Sequence, residues 1–295
     1  MICAVVLAAG EGRRLRPLTE AVPKALCPVG NVPLLDLALD RVARLGLADP
    51  DVVAVNACYL AGQVVDAVGG RAHLSVEPGP RPAGTSGGVA RLRDWIAGRG
   101  VLVGNADAYL SGGDLAPLLA GWDGATVRLL GVKGRPAEFG HHRFAGFSLL
   151  PWHRVAALTE EPSDLVRTVW RPAEAAGELT VVEYQGAYLD TGTPRDYLAA
   201  NLHAAGGGVL VADGATVTGH AERAVIGPGA RVAGKVCRTV VWPDAYVGPD
   251  EQLIDTIRYG RSGNVTATGL GRCAASDAAG PDRSKGWPRR EGAPE

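Results

Sequence analysis

The stretch Leu7-Ala8-Ala9-Gly10-Glu11-Gly12-Arg13-Arg14-Leu15-Arg16-Pro17-Leu18-Thr19, continued by Pro23-Lys24-Ala25-Leu26, decides how the rest of this chain reads. It follows an apolar run, residues 2–7, that reads as a buried strand of parallel type. Glycines directly after such a strand let backbone N–H groups approach phosphate oxygens closely. Arg13, Arg14, Arg16 and Lys24 add the positive charge that a triphosphate needs, most of all as pyrophosphate departs. Gly-x-Gly alone also fits an ordinary turn or a dinucleotide loop. The third glycine of a dinucleotide loop is missing, because Arg13-Arg14-Leu15 follows, and the second strand ends in Asn56 rather than an acidic ribose partner. A Walker loop would require Gly-Lys-Ser/Thr, which is absent.

Outward from the loop, strands and helices alternate. Residues 34–45 have helical spacing, with Leu34, Leu37, Ala38, Val42 and Leu45 on one face. A second strand is expected over 51–56, a helix over 63–68 and a third strand over 74–77. A glycine loop then leads into a helix over 89–96, and a fourth strand, 101–103, runs into Gly104-Asn105-Ala106-Asp107. This order predicts an α/β fold with a mostly parallel sheet and right-handed crossovers. Such sheets bind ligands beyond the carboxyl ends of their strands, where the glycine loop and Asp107 both lie. Residues 126–150 read as strand-rich and 164–170 as helical. Strands over 181–184 and 187–189 lead to Asp190-Thr191-Gly192-Thr193-Pro194, with Pro194 in the first turn of a helix reaching about residue 204.

With 41 Gly and 20 Pro in 295 residues, many short elements and turns are expected. Aromatics are scarce at 5%, so Ala, Val and Leu must fill the core. The net charge of −1 argues against a broad nucleic-acid or membrane surface, so phosphate chemistry must use local cations. No run of 18 apolar residues exists, and residues 1–9 lack the basic flank of a signal peptide. Five scattered cysteines without a C-x-x-C pair point to neither a zinc site nor a disulfide framework, and fit a reducing cytoplasm.

The string L-A-A-G-x-G-x-R-L-x-P-L-T-x(3)-P-K-x-L resembles the signature of sugar-1-phosphate nucleotidyltransferases, and the resemblance extends over about the first 205 residues. It implies a Rossmann-like, mostly parallel nucleotidyltransferase domain that joins a nucleoside triphosphate to a sugar 1-phosphate with Mg²⁺. By that resemblance Leu7, Ala8, Ala9, Gly10 and Gly12 bind the nucleotide through backbone. Arg14 stabilises triphosphate charge, and Lys24 contacts the α-phosphate. Asp107 matches the metal-binding aspartate of an N-G-D segment, with Ala106 in place of glycine. Asp190 in Asp190-Thr191-Gly192-Thr193-Pro194 matches a second aspartate, so the pair would hold Mg²⁺, which accepts one or two carboxylates plus phosphate oxygens. Gly84, Thr85 and Gly87 resemble the segment that lines the base pocket. Glu77 occupies the place of a base-side acid in guanylyltransferases, which makes GTP and mannose 1-phosphate the leading expectation. Uridylyl or thymidylyl transfer to another sugar phosphate is the alternative.

On the sugar side, Gly146 in Phe144-Ala145-Gly146-Phe147 and Thr193 match family positions, with Phe144 in place of asparagine. The family's second lysine, in E-K-P, has no counterpart; Lys133, Arg135 and Arg143 are the cations nearby. That absence also supports a catalytically silent regulatory subunit, against which Arg14, Lys24, Asp107 and Asp190 argue. His141-His142 has no third ligand near it in sequence and reads as surface loop.

The pattern changes after Gly206-Gly207-Gly208, which sets the domains expected here at 1–206, 207–259 and 260–295. Triplets such as Ala224-Val225-Ile226, Ala230-Arg231-Val232 and Ala245-Tyr246-Val247 recur at a spacing near six. This predicts a short left-handed β-helix, whose exposed edge could pair with a second copy to give a homo-oligomer. An acyltransferase role is not expected there, since His220 stands alone. Residues 260–295 are polar and aperiodic, and are expected to be disordered.

Overall fold

The computed structural model describes residues 1–267. Strand β1 (Ile2–Leu7) is followed by the loop, by a small hairpin, β2 (Pro28–Val29) and β3 (Val32–Pro33), and by helix α1 (Leu34–Ala43). Then come β4 (Val53–Ala57), α2 (Ala61–Val68), β5 (His73–Val76), α3 (Gly84–Ala90), α4 (Arg93–Ile96) and β6 (Gly100–Asn105). After β7 (Tyr109–Ser111) and α5 (Ala116–Leu119), two long strands, β8 (Val127–Lys133) and β9 (His142–Leu150), run side by side. The unit closes with α6 (Trp152–Ala156), a π-helical turn at Val166–Trp170, α7 (Arg171–Ala175), β10 (Leu179–Glu183), β11 (Ala187–Leu189) and α8 (Pro194–Ala204).

The main sheet has seven strands in the order β10-β8-β9-β6-β1-β4-β5. β1 pairs in parallel with β4 on one side and β6 on the other, which makes its carboxyl end the point where the strand order reverses. The sheet is mostly parallel, as expected; β9 alone runs antiparallel to both neighbours. Alternate residues of β1 face opposite layers. Ala4 and Val6 pack with Leu35, Ala38, Leu39 and Val42 of α1, whereas Cys3 and Val5 pack with Val89, Leu92 and Ile96.

Two helices differ from the sequence reading. In α1 the buried positions are Leu34, Leu35, Ala38, Leu39 and Val42; Leu37 is only half-buried and Leu45 falls in the turn beyond. The helix has two contacts to satisfy: Leu34 joins the cluster beneath α8 while the others face the sheet. The glycine segment 84–88 is itself helical rather than a loop before a helix. Side chains there would collide: a Cβ on Gly88 would lie 2.5 Å from Asn56 Nδ2, and one on Gly87 3.1 Å from two backbone carbonyls. Only a helix of small residues can sit this close to the sheet.

From Leu210 the chain forms successive coils whose strands stack in two sheets. Their strands are β12 (Leu210–Val211), β13 (Thr216–Val217), β14 (His220–Ile226), β15 (Arg231–Val232), β16 (Lys235–Val241), β17 (Tyr246–Val247) and β18 (Gln252–Tyr259). All coil-to-coil pairings are parallel, with Leu210 opposite Val225, Val225 opposite Val240 and Val240 opposite Ile257. Successive coils are therefore fifteen, fifteen and seventeen residues long. Arg223, Arg238 and Asp255 turn one corner with positive φ (48°, 46° and 49°), and the Arg238 guanidinium forks onto the Asp255 carboxylate. Ala224, Ile226, Ala230, Val232, Ala245 and Val247 form a buried apolar cluster.

Residues 260–267 depart from the disordered tail expected there. They turn back as β19 (Gly263–Thr266), antiparallel to β18, with Ala267 buried, while residues 268–295 lie outside the described part. Tyr246 N–H also donates to the Arg261 carbonyl, so residues 261–266 cover much of the last coil edge. The coils are fastened to the first unit: Trp242 Nε1 donates to Tyr197 Oη at 3.0 Å, Tyr197 in turn donates to the Pro28 carbonyl, and Asn31 Nδ2 donates to the Ile226 carbonyl at 3.0 Å.

Candidate active site

A cavity of about 370 Å³ opens at the carboxyl ends of β1, β4 and β6. Leu7, Ala8, Ala9, Gly10, Gly12, Arg14, Lys24, Gly84, Thr85 and Asp107 line it, as the sequence reading requires. So do Asn56, Pro82, Asn105 and Gly192, which that reading did not single out. Asn56 was visible in principle, as a polar residue closing the apolar strand Val53-Ala54-Val55.

The loop's shape is fixed from behind. Gly12 is left-handed (φ 61°), and a Cβ there would lie 2.9 Å from Thr19 Cγ2 and 3.0 Å from Lys24 Cβ. Thr19 donates its hydroxyl to the Gly12 carbonyl at 2.9 Å, Tyr59 donates to the Thr19 carbonyl at 2.9 Å, and Asn56 Oδ1 accepts the Ala8 N–H at 2.8 Å. Gly10 faces open space. Among the described residues the N–H groups of Gly10, Glu11, Gly12 and Arg13 have no acceptor in the protein. Of these, Gly10, Gly12 and Arg13 line the cavity, so donors without a protein acceptor lie along its wall.

The loop cations divide. Arg13 forks onto Glu11 (2.6 and 2.9 Å) and Arg16 approaches the same carboxylate at 3.9 Å. The Arg13 hydrogen bond holds the Glu11 carboxyl below its ordinary pKa. Arg14 makes no ion pair among the described residues and points toward Gly192, where a Cβ would stand 2.7 Å from Arg14 Nη2 and 3.1 Å from Asp190 Oδ1. A side chain at position 192 would displace the Arg14 guanidinium from this place.

Lys24 is buried (8% exposed) and its Nζ lies 2.6 Å from Asp107 Oδ2. Asp107 is held by its backbone: Thr191 donates its hydroxyl to the Asp107 carbonyl at 2.8 Å, and the neighbouring Ala106 N–H donates to the Leu7 carbonyl. Asp190 comes from the partner strand, for β11 pairs antiparallel with β7, Leu189 opposite Tyr109. The two carboxylates thus sit at adjoining ends of one small ribbon. Asp190 Oδ1 accepts the Gly192 N–H at 2.9 Å. Asp107 Oδ1 has no protein partner among the described residues, and the carboxylate is 41% exposed. Hard, outward-facing oxygens of this kind fit Mg²⁺. No cluster of three or more His, Cys, Asp or Glu is found among the described residues, so a metal here would complete its shell from substrate and water.

Other expected residues stand elsewhere. Glu77 is 6% exposed and off the cavity wall: Oε1 accepts Asn56 Nδ2 (2.8 Å) and Oε2 accepts the Ala83 N–H (2.7 Å). Gly87 packs against Ala83 and the carbonyls of Glu160 and Glu161. Gly146 (φ 84°) abuts Ala108, beside Asp107. Thr193 caps α8, its hydroxyl accepting the Asp196 N–H. Of the three cations on the sugar side, Lys133 is bound to Glu183 at 3.0 Å and Arg135 lies in an exposed connection. Arg143 is half-buried on β9. Burial and the Asp190 and Asp107 charges raise the Tyr188 phenol pKa; Arg143 acts against them, which puts its charge in range of the same ribbon.

The family model described as Nucleotidyl transferase matches residues 3–164, over half of the chain. The chain belongs to the nucleotidyl transferase family. That match contains the loop, Lys24, Asp107 and the first six strands of this nucleotidyl transferase's main sheet. An N-acetylmuramate alpha-1-phosphate uridylyltransferase from Neisseria meningitidis is 38% identical over 109 residues, covering 35% of this chain and 46% of that protein. A mannose-1-phosphate guanylyltransferase from Mycobacterium tuberculosis is 34% identical over 145 residues, covering 46% and 39%. The chain spans less than half the length of these curated relatives. A crystal structure from Bacillus anthracis, assigned as a glucose-1-phosphate thymidylyltransferase, superposes with a TM-score of 0.59 over 69% of this chain and 95% of that one. At 18% identity that likeness is one of fold.

Proposed function

We propose that this chain transfers a nucleotidyl group from a nucleoside triphosphate to a sugar 1-phosphate, forming a nucleotide-sugar and releasing pyrophosphate. The observation that carries this is one cavity wall that brings together the loop Gly10, Gly12 and Arg13, whose N–H groups have no protein acceptor, with Arg14, Lys24 and Asp107. Uridylyl, guanylyl and thymidylyl transfer to sugar 1-phosphates are the activities named among the relatives. What they share is the phosphate chemistry.

In this reading the loop N–H groups bind phosphate oxygens, and Arg14 spans the departing pyrophosphate. Lys24, fixed by Asp107, lies against the α-phosphate as a point charge. An oxygen of the sugar phosphate forms a bond to the α-phosphorus as the bond to the bridging oxygen of pyrophosphate breaks. The attacking phosphate is already ionised, so no general base is required, and catalysis is positioning plus charge stabilisation. Asp107 and Asp190 are the residues that would hold Mg²⁺, which would neutralise phosphate charge. Arg143 is the cation assigned to the sugar phosphate, since Lys133 is committed to Glu183. The coils are read as a short left-handed β-helix fixed to the catalytic unit through Tyr197 and Trp242.

The expectation of GTP and mannose 1-phosphate rests on Glu77 and on the Gly84-Thr85-Ser86-Gly87 segment; both Glu77 oxygens are already taken, while Gly84 and Thr85 line the cavity. The transfer itself is tested with a triphosphate carrying a chiral α-thiophosphate. Direct displacement predicts a nucleotide-sugar with inverted configuration at phosphorus; retention, or no product with any sugar 1-phosphate, would reject the mechanism.

A further inference from the structure

We propose that Arg41 of α1 is a positioning residue, which fixes the β7–β11 ribbon carrying Asp107 and Asp190 against the body of the fold; this rests on the nucleotidyl-transfer reading above. β7 and β11 are three residues each, and among the described residues they pair only with each other. A ribbon that small is marginal by itself and must be held from outside. Lys24 and Thr191 hold it at Asp107. Arg41 holds the other end of β7: Nη2 donates to the Leu110 carbonyl, and Nη1 reaches the Gly113 carbonyl at 3.4 Å and the Tyr184 hydroxyl at 3.3 Å. Tyr184 Oη also accepts the Gly113 N–H at 3.1 Å, so both backbone groups of Gly113 are engaged. The fit is close. A Cβ on Gly113 would lie 2.3 Å from the Tyr184 ring, and one on Gly186 2.3 Å from the Ser111 carbonyl.

Arg41 lies off the cavity wall, so it acts through the ribbon. Burial pushes its guanidinium pKa down, and a buried charge is costly unless its hydrogens are bonded. Its partners are neutral oxygens, and among the described residues no carboxylate pairs with it. The fork thus serves to bridge two carbonyls of the chain that follows Asp107, a span that the point charge of a lysine does not reproduce. Its base is firm, because Ala38, Leu39 and Val42 of the same helix pack with Ala4 and Val6 of β1. Leu110 is three residues beyond Asp107, and its opposite number in the ribbon, Tyr188, is two residues before Asp190. A shift at Leu110 therefore carries both carboxylates with it. Two cations of one stretch of chain, Lys24 and Arg41, hold the two ends of β7.

Two measurements on the full chain test this. One is binding of Mn²⁺ alone, as a stand-in for Mg²⁺, read from loss of the free-ion electron paramagnetic resonance signal. The other is steady-state pyrophosphate release. Arg41→Met keeps the apolar stem and removes the fork. It is expected to weaken Mn²⁺ binding and to lower kcat, each about tenfold, with KM for the triphosphate unchanged. Arg41→Lys should recover only part of the loss. Tyr184→Phe, which keeps the ring in place, should move both quantities the same way by less, and it decides the matter if the Arg41 variants do not fold. Folded variants with wild-type Mn²⁺ affinity and kcat would leave Arg41 a purely structural role and overturn the inference, as would a wild-type chain that binds no Mn²⁺. Because metal binding is read apart from turnover, the two readings separate. Mn²⁺ affinity lost in the variants, in a chain that releases no pyrophosphate with any sugar 1-phosphate, would reject the transfer reading and leave the positioning role standing. Wild-type turnover and Mn²⁺ affinity in every variant would do the reverse.

Discussion

The two ends of the cleft are built differently. The triphosphate end rests on the carboxyl ends of three adjacent parallel strands, and its loop is pinned by Thr19, Tyr59 and Asn56. The sugar end rests on a two-stranded ribbon, β7 with β11, and on β9, whose register against β8 slips between Leu129 and Gly131. Phosphates are common to every nucleoside triphosphate and can be gripped by backbone. Backbone recognition demands glycine where φ is positive and atoms crowd, as at Gly12. Sugars are distinguished by side chains, which can be exchanged without disturbing the main chain. The phosphate end is therefore the more constrained one, and the proposed sugar end the freer.

Substitutions can break or sharpen that contrast. The largest effect is expected at Asp107: Asp107→Ala should lower kcat about 10²–10³-fold in a protein that still folds, its thermal transition lowered by the loss of the Lys24 partner. Retained turnover would remove Asp107 from the reaction. Lys24→Ala should cost about 10²-fold in kcat, and Lys24→Arg should not restore it, because a buried slot shaped for a point charge cannot take a guanidinium fork. Steady-state kinetics on the two variants decide this. At the other end, Arg143→Ala should raise KM for the sugar 1-phosphate about tenfold and leave KM for the triphosphate unchanged. A rise in both would place Arg143 elsewhere. The smallest effect is expected at Thr193. Thr193→Ala should lower unfolding free energy by about 1 kcal/mol through loss of the α8 cap, measured by denaturant titration, and move KM for the sugar phosphate less than Arg143→Ala does.

The sequence made the same end legible. Residues 2–7, the glycine loop, Pro23-Lys24, Asp107 and the helix begun by Pro194 lie in the structure where their residue types indicate. Local chemistry determines them. What stayed hidden depends on distant contacts. The helical character of 84–88 comes from its packing on Asn56 and on residues 160–163, and the antiparallel direction of β9 has no local signature. Glu77 shows the limit most sharply. Its type and position suit a base-reading acid, and only the bonds from Asn56 and Ala83 reveal an internal brace. The strand at 263–266 was missed because its order comes from pairing with β18 rather than from its own polar sequence.

The central claim is that the loop and the Asp107–Asp190 ribbon together join a nucleotide to a sugar phosphate. The most direct measurement is pyrophosphate release by the wild-type chain, with each triphosphate, a panel of sugar 1-phosphates, and Mg²⁺ or EDTA. The account predicts release matched mole for mole by nucleotide-sugar, only when both substrates and Mg²⁺ are present. Undiminished turnover in EDTA, or release without a sugar phosphate, would contradict it.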